Sequence, residues 1–174
     1  QKNGGKPPNR ENVVHIDDID AFAPQTSLGM SAFHLDTYFT PLFPFGYGLS
    51  YTHFVYENIR VSDDEIEMGG TVTISAELSN RGDFEAEEVV QLYTRDLVGS
   101  ITRPVKELKG FRRVRLRPGE TRTVSFDLHT DDLSFSGRDG KRVVEPGLFH
   151  AWIGGSSDID LHTAFRIVQS GSRA

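Results

Sequence analysis

Apolar and polar residues alternate along several stretches of the chain, and residues 71–78 show the pattern most clearly. The apolar positions there are Val72, Ile74, Ala76 and Leu78. The intervening residues are polar, and a period of two is typical of a β-strand with one buried face, because successive side chains point to opposite sides of the backbone. The pattern therefore predicts a half-buried strand at residues 71–78.

Six further stretches carry a similar alternation and are separated by turn sequences. They cover residues 54–61, 88–95, 106–116, 121–128, 148–154 and 161–168. The turns between them contain glycine or proline, as in Asn80-Arg81-Gly82 and Glu145-Pro146-Gly147. Short strands at this spacing are typical of an antiparallel sandwich. We predict an all-β, seven-stranded antiparallel immunoglobulin-like sandwich with an extended N-terminal segment.

Two short segments interrupt this alternation. Residues 130–133 begin with Thr130 and Asp131, whose side chains can accept hydrogen bonds from the free amides of a first helical turn, so we expect one N-capped turn of helix. Residues 136–141 contain Asp139-Gly140, a pair that can supply the positive φ of a tight turn. We expect a hairpin at that position.

Two large aromatic residues fall in the middle of predicted strands. Tyr93 lies in the stretch 88–95 and Trp152, the single tryptophan, lies in 148–154. Aromatic platforms that stack on sugars are expected at loop tips, whereas aromatic residues in mid-strand usually contribute to the interior. We therefore expect both residues in the buried core.

The charge distribution excludes several classes of partner. The net charge is -6, whereas binding to nucleic acid or to an anionic membrane requires a concentrated basic face. A local run of arginines alternates with apolar residues, and it consists of Arg112, Arg113, Arg115 and Arg117. We interpret this run as the solvated face of a strand with acidic neighbours on adjacent strands, rather than as an anion site. We expect no nucleic-acid partner and no membrane partner.

The most distinctive stretch of the chain is residues 41–51, which we call the junction strip. Pro41 and Pro44 exclude a helix at its start. Gly46 and Gly48 flank Tyr47, which predicts a backbone that needs positive φ or a close approach to another surface. Exposing the apolar side chains of the strip costs about 25 cal/mol per Å². We therefore expect them to be buried, either on this domain or on a partner.

The sequence FPFGYGLSYTHF, residues 43–54, resembles the junction that leads into the C-terminal domain of glycoside hydrolase family 3, the β-glucosidase type. Further motifs similar to that family are SNRGDFEAEEVVQLYT (79–94), RPVKELKGF (103–111), LRPGETRTVSF (116–126) and EPGLFHAWIG (145–154). The resemblance covers roughly residues 40–168. It implies a fibronectin type III-like domain at residues 52–174, preceded at residues 1–51 by an extended linker and the tail of a catalytic domain.

The resemblance also implies what the longer parent enzyme does. Such enzymes hydrolyse terminal β-glucosides with retention, and their nucleophilic aspartate and acid/base glutamate lie in two catalytic domains upstream of the motifs that match here. Retaining hydrolysis needs two carboxyl groups about 5 Å apart, and no such pair is identifiable in this chain. We therefore expect no catalytic residue, no metal site and no cofactor.

The resulting hypothesis is an accessory domain that is inactive alone and that docks onto the catalytic domains of the parent chain and stabilises them. The predicted docking residues are Phe43, Phe45, Tyr47 and Tyr51 of the junction strip. The β-linked glucoside or oligosaccharide is then a substrate of the parent, and the resemblance implies a secreted or periplasmic protein.

Two alternatives remain open at this stage. An independent carbohydrate- or cell-surface-binding module would need a row of exposed aromatic side chains on one face, for which the loop candidates are Tyr38, Phe39 and Phe84. A subunit-interface domain would instead use the aromatic residues of the junction strip to contact another protomer in a homo-oligomer.

Overall fold

The computed structural model describes residues 41–169 and residue 171, and the architecture is that of the compact unit Pro44–Ala174. Its strands are β1 (Phe54–Val61), β2 (Glu65–Glu67), β3 (Thr71–Asn80), β4 (Ala86–Asp96), β5 (Glu107–Leu116), β6 (Thr121–His129), β7 (Phe135–Ser136), β8 (Arg142–Val143), β9 (Gly147–Gly154) and β10 (His162–Val168). A 3-10 helix, Thr130–Leu133, connects β6 to β7. Residues 1–40, which contain most of the predicted N-terminal segment, lie outside the described residues, and the predicted boundary at residue 51 stays a prediction.

The strands form two packed sheets and a small hairpin. The small sheet has the order β1-β3-β6, the large sheet has the order β2-β10-β9-β4-β5, and β7 pairs with β8. The predicted sandwich is confirmed, since each of the predicted strands corresponds to one of the longer strands. Three short strands, β2, β7 and β8, are additional. Strand β2 pairs in parallel with β10, which departs from a purely antiparallel arrangement. A strand of three residues carries too little periodicity to be recognised in a sequence.

The hydrophobic core lies between the small and the large sheet. In β3, the predicted apolar face is buried as expected, since Val72, Ile74, Ala76 and Leu78 are all at most 2% exposed. The large sheet contributes Phe149 of β9 and Phe165 of β10, whose rings stack with their centroids 5.6 Å apart. The core therefore consists of one face from each sheet, and the other face of the large sheet is left for additional contacts.

The expected turn of helix is present, but another residue caps it. The side chain of His129 is the N-cap, and its Nδ1 accepts a hydrogen bond from the amide of Asp131 at 3.2 Å. The Thr130 hydroxyl accepts instead from the amide of Gly69, at 2.8 Å. The N-cap is therefore His129, one residue before the predicted Thr130. The side chain of Thr130 is buried and bonds to the loop between β2 and β3 instead.

The expected hairpin at residues 136–141 is also present. Strands β7 and β8 flank it, and the amide of Gly137 donates to the carbonyl oxygen of Lys141 at 2.8 Å. Gly140 adopts φ +76°, as the turn requires, whereas Asp139 does not have a positive φ. The glycine therefore provides the left-handed conformation by itself.

The arginine run lies on a solvated strand face, as predicted for most of its members. Arg113 and Arg115 of β5 lie 3.6 Å and 3.2 Å from the carboxylate of Glu87 on the neighbouring strand β4. Arg117 lies 3.9 Å from Glu85. Arg112 is different, because its guanidinium lies over the ring of Phe126 on the opposite side of the strand. Exposed ion pairs of this kind contribute little to stability. Strand β5 is an edge of the large sheet, and charged side chains on an edge strand oppose its pairing with strands of other molecules.

Candidate functional site

Three hydrogen bonds hold the backbone of the junction strip, two from β4 of the large sheet and one from the loop after β9. The carbonyl oxygen of Phe45 accepts a hydrogen bond from the amide of Ser157 at 2.8 Å and a longer one from the hydroxyl of Tyr93 at 3.4 Å. The carbonyl oxygen of Gly46 accepts from Nε2 of Gln91 at 3.2 Å. A turn within the strip adds a bond from the amide of Tyr47 to the carbonyl oxygen of Pro44, at 3.1 Å. This part of the strip therefore has a defined conformation on the domain.

Gly46 is required by this conformation for two reasons. Its φ is +79°, and a Cβ added there would lie 2.0 Å from Oε1 of Gln91. The expectation of positive φ or a close approach is therefore confirmed for Gly46. It is wrong for Gly48, whose φ is not positive and whose added Cβ would meet no atom of the described residues within 4 Å.

Gln91 of β4 connects the strip to the loop that follows β9. Its side chain is 5% exposed, and its Nε2 donates to the carbonyl oxygens of Gly46 and Gly155, the latter at 2.6 Å. Its Oε1 accepts from the hydroxyl of Tyr93 at 2.5 Å. Burial raises the pKa of this Tyr93 hydroxyl, so the hydroxyl remains a donor across the physiological range. The buried amide is therefore bonded at both ends, and it links the strip to the loop after β9.

The aromatic side chains of the strip are exposed to solvent. Phe45 is 66% exposed, Tyr47 is 47% exposed and Tyr51 is 95% exposed. Phe43, the remaining predicted docking residue, is 64% exposed. The strip therefore combines a backbone anchored at Phe45 and Gly46 with aromatic side chains that are 47–95% exposed.

A groove of about 740 Å³ lies beside the strip on the large sheet. Most of its apolar lining comes from Phe45, Tyr47 and Leu49 of the strip and from Val89, Leu108 and Phe111 of β4 and β5. The loop at residues 155–159 contributes one end of it. Phe45 and Tyr47 are thus brought together in one concave surface, whereas Phe43 and Tyr51 do not line it.

Sequence reasoning missed the residues that the sheet contributes to this groove. Phe111 is 67% exposed and stands on the same strand as the solvated residues Arg113 and Arg115. Its position could have been found, because a period of two places an aromatic side chain at residue 111 on the face that carries those arginines. A large aromatic side chain on an otherwise charged and solvated strand face indicates a contact surface.

Tyr56 and Glu88 form a hydrogen bond at the inner end of the groove. The hydroxyl of Tyr56, on β1, donates to Oε1 of Glu88, on β4, at 2.7 Å. Burial raises the pKa of the Glu88 carboxyl, although the hydrogen bond from Tyr56 opposes this shift. Burial, together with the neighbouring carboxylate, raises the pKa of Tyr56 as well. This pair joins the two sheets, and it leaves Glu88 committed to a structural contact.

Tyr93 and Trp152 are both buried as expected, with exposures of 2% and 7%, but they do not lie between the sheets. They face each other across β4 and β9, next to Leu92 and Ile153, which belong to the core. Because side chains alternate along a strand, Tyr93 and Trp152 point away from the core, onto the outer face of the large sheet. The expectation of burial is therefore confirmed, and the two side chains are buried on the outer face of the large sheet rather than between the sheets. The strip and the loop after β9 cover an outer face that would otherwise be in water.

The part of the chain that the structure describes offers neither a metal site nor a membrane-spanning helix. These residues contain no group of three or more histidine, aspartate or glutamate side chains arranged to hold a metal ion. Within the same residues, no helix has the length and apolar character needed to cross a membrane. What the arrangement offers is an apolar concave surface, suited to contact with another protein surface or with a ligand that has apolar faces.

Known proteins resemble this chain over most of its length. The family profile described as the fibronectin type III-like domain matches residues 88–157. A β-xylosidase of Formosa agariphila is 50% identical over 121 residues, which are 70% of this chain and 17% of that protein. A periplasmic β-glucosidase of Salmonella typhimurium is 39% identical over 140 residues, which are 80% of this chain and 18% of that protein.

A solved structure agrees with these relatives. The β-glucosidase of Listeria innocua in complex with glucose superposes with a TM-score of 0.74 at 33% identity, covering 88% of this chain and 22% of that one. The chain therefore spans about a fifth of the length of the proteins that it matches. It carries a fibronectin type III-like domain homologous to the corresponding region of the β-glucosidases and β-xylosidases of glycoside hydrolase family 3.

Proposed function

We propose that this chain is an accessory domain that docks onto the catalytic domains of a family 3 glycosidase through the junction strip, stabilises them, and has no glycosidase activity alone. The parent enzyme hydrolyses terminal β-linked glucosides or related sugars with retention. We expect it to be secreted or periplasmic, and the Salmonella relative is named a periplasmic β-glucosidase. The observation that carries the proposal is the junction strip, whose backbone is bonded to the domain while its apolar side chains are exposed.

The exposed aromatic side chains of the strip offer a large apolar area for contact with another domain. A buried aromatic side chain removes about 150–250 Å² from water, and burial of apolar surface is worth about 25 cal/mol per Å². Phe43, Phe45, Tyr47 and Tyr51 together could therefore supply several hundred Å² of apolar contact. Domains of one chain move relative to each other unless their contact is large and apolar. An anchored strip with these side chains meets that requirement.

The isolated chain should not hydrolyse an aryl β-glucoside or an aryl β-xyloside. Retaining hydrolysis needs a nucleophilic carboxylate and a carboxylic acid about 5 Å apart across a sugar-sized cleft, and Glu88, the carboxyl in the groove with a raised pKa, already accepts the hydroxyl of Tyr56. Release of the chromophore by purified chain is the measurement. Turnover that persists through purification and is abolished by Glu88→Gln would contradict the proposal.

In the full-length parent, replacing Phe43 and Phe45 together by serine should loosen the contact between this domain and the catalytic domains. Loss of two aromatic contacts at an interface commonly costs several kcal/mol, so limited proteolysis should cut between the domains at least about tenfold faster. The matched control is Phe84→Ser, which removes an aromatic residue that is 62% exposed and lies outside the strip. The docking proposal is wrong if the double variant and the control are cut at the same rate as the parent.

A carbohydrate-binding module is the second candidate, because the structure provides an aromatic row that the sequence did not suggest. Phe45, Tyr47 and Phe111 line one groove, whereas Phe84 lies apart from it and Tyr38 and Phe39 lie outside the described residues. Titration of the isolated chain with β-linked gluco- and xylo-oligosaccharides distinguishes the two candidates. Binding that is lost in Phe111→Ala favours the module, and the same groove cannot then be covered by the catalytic domains.

A further inference from the structure

The groove beside the junction strip has a shape that the domain itself sets. Ser157, Gln91 and Tyr93 bond to the backbone of Phe45 and Gly46, which form one wall, and β4 and β5 form the other wall. Gln91 and Tyr93 are buried, and Gly46 admits no side chain. The groove is therefore preformed and does not depend on a partner for its shape.

The volume of the groove is too large to be left empty at a stable interface. It measures about 740 Å³, within the range of about 300–1,000 Å³ that holds a drug-sized group. Protein interiors and interface cores are close-packed, and a void forfeits the dispersion contacts of the atoms that line it. A flat surface laid across Phe45, Tyr47 and Phe111 would enclose such a void. A partner surface that projects into the groove would restore those contacts.

We propose that the groove receives a protruding apolar segment, carrying more than one large side chain, from the catalytic part of the parent chain. This inference rests on the proposed docking function and adds the kind of surface that docks. Most of the lining surface is apolar, which favours an apolar occupant. The carboxyl groups of Glu87, Glu88 and Asp158 also line the groove, and that of Glu88 already accepts a hydrogen bond from Tyr56. The relatives are nearly six times as long as the matched region, which is 17% and 18% of their lengths. In a parent chain of that length, the domain is covalently linked to the catalytic part. This linkage raises the effective concentration of the catalytic part at the groove.

Gly48 provides a way to fill the groove without disturbing the domain. It lines the groove, its φ is not in the left-handed region, and an added Cβ would meet no described atom within 4 Å. The domain therefore has room for a larger side chain here, and we expect a tryptophan at this lining position to occupy part of the groove. Substitutions at exposed positions of this kind usually leave stability nearly unchanged, so the isolated chain should melt within a few degrees of the wild type.

The test compares Gly48→Trp with Gly48→Ala in the full-length parent, by limited proteolysis between the domains. We expect Gly48→Trp to be cut at least about tenfold faster than the wild type, a change equivalent to a tenfold weaker contact. We expect Gly48→Ala, whose methyl group leaves the groove open, to be cut at the wild-type rate. Phe111→Glu is a second variant. It places a charge on the opposite, exposed wall of the groove. It should therefore also increase the rate of cleavage between the domains, without unfolding the isolated chain.

The outcomes separate the groove from the docking function. If Gly48→Trp and Phe111→Glu are cut at the wild-type rate while Phe43→Ser with Phe45→Ser is cut faster, the domain docks through the exposed strip and nothing enters the groove. If none of these variants is cut faster, the docking function itself is wrong. Faster cutting of both groove variants with an unaltered Gly48→Ala supports an occupied groove.

Discussion

Replacing Trp152 by alanine should lower the free energy of unfolding by about 3 kcal/mol, the lower end of the range for truncating a buried large aromatic residue. The indole is 7% exposed, and its ring contacts those of His150 and His162 at centroid distances of 5.6 and 5.7 Å. The ammonium of Lys106 lies 4.7 Å from the ring centroid. The lower end applies because the residue lies on the outer face of the large sheet, where a cavity can open to water. Urea denaturation of the isolated chain measures the change.

The Trp152→Ala substitution should also weaken the attachment of the loop after β9. Lys106 donates from Nζ to the carbonyl oxygens of Ser157 and Ile159 at 2.9 and 2.8 Å, and its position over the indole holds that ammonium in place. The matched control is Phe111→Ala, which removes an exposed aromatic side chain from the same sheet and should change stability by less than about 0.5 kcal/mol. An unchanged melting temperature in Trp152→Ala, with lost binding to an oligosaccharide, would instead identify Trp152 as a sugar platform.

Replacing Asn80 by alanine should destabilise the domain by about 3 kcal/mol, because each buried polar group left without a partner costs about 1–3 kcal/mol. Asn80 is 0% exposed. Its Nδ2 donates to the carbonyl oxygens of Phe84 and Leu116 at 2.8 and 3.1 Å. Its Oδ1 accepts from the hydroxyl of Thr52 at 2.6 Å and from the amide of Gly82 at 3.1 Å. The side chain thus uses both donors and both acceptor positions.

These four bonds connect the segment before β1, the turn after β3 and the end of β5. Thr52→Val removes one of them and keeps the size of the side chain, so it should cost less than Asn80→Ala. Denaturant midpoints of the two variants give the comparison. A loss below about 1 kcal/mol in Asn80→Ala would mean that water replaces the missing amide, and that Asn80 does not organise this end of the sandwich.

Much of the fold followed from the sequence because the strands alternate regularly. In β3 the apolar face from Val72 to Leu78 is buried as predicted, and turn residues marked where the strands end. The positive φ of Gly46 was also predictable, since glycine is the residue that adopts it without strain. Periodicity failed for β2, which is short and pairs in parallel with β10.

Tertiary structure decided the position of residues that alternation alone leaves undetermined. Alternation puts Tyr93 and Trp152 on one face of their strands but does not say whether that face meets the other sheet or the strip. Likewise, the sequence singled out Phe45 and Tyr47 as apolar residues that need burial. Only the folded chain brings them beside Phe111, which is distant in sequence and adjacent across the groove. The physical reason is that a two-residue period is local, whereas a groove is made by elements that meet through long-range packing.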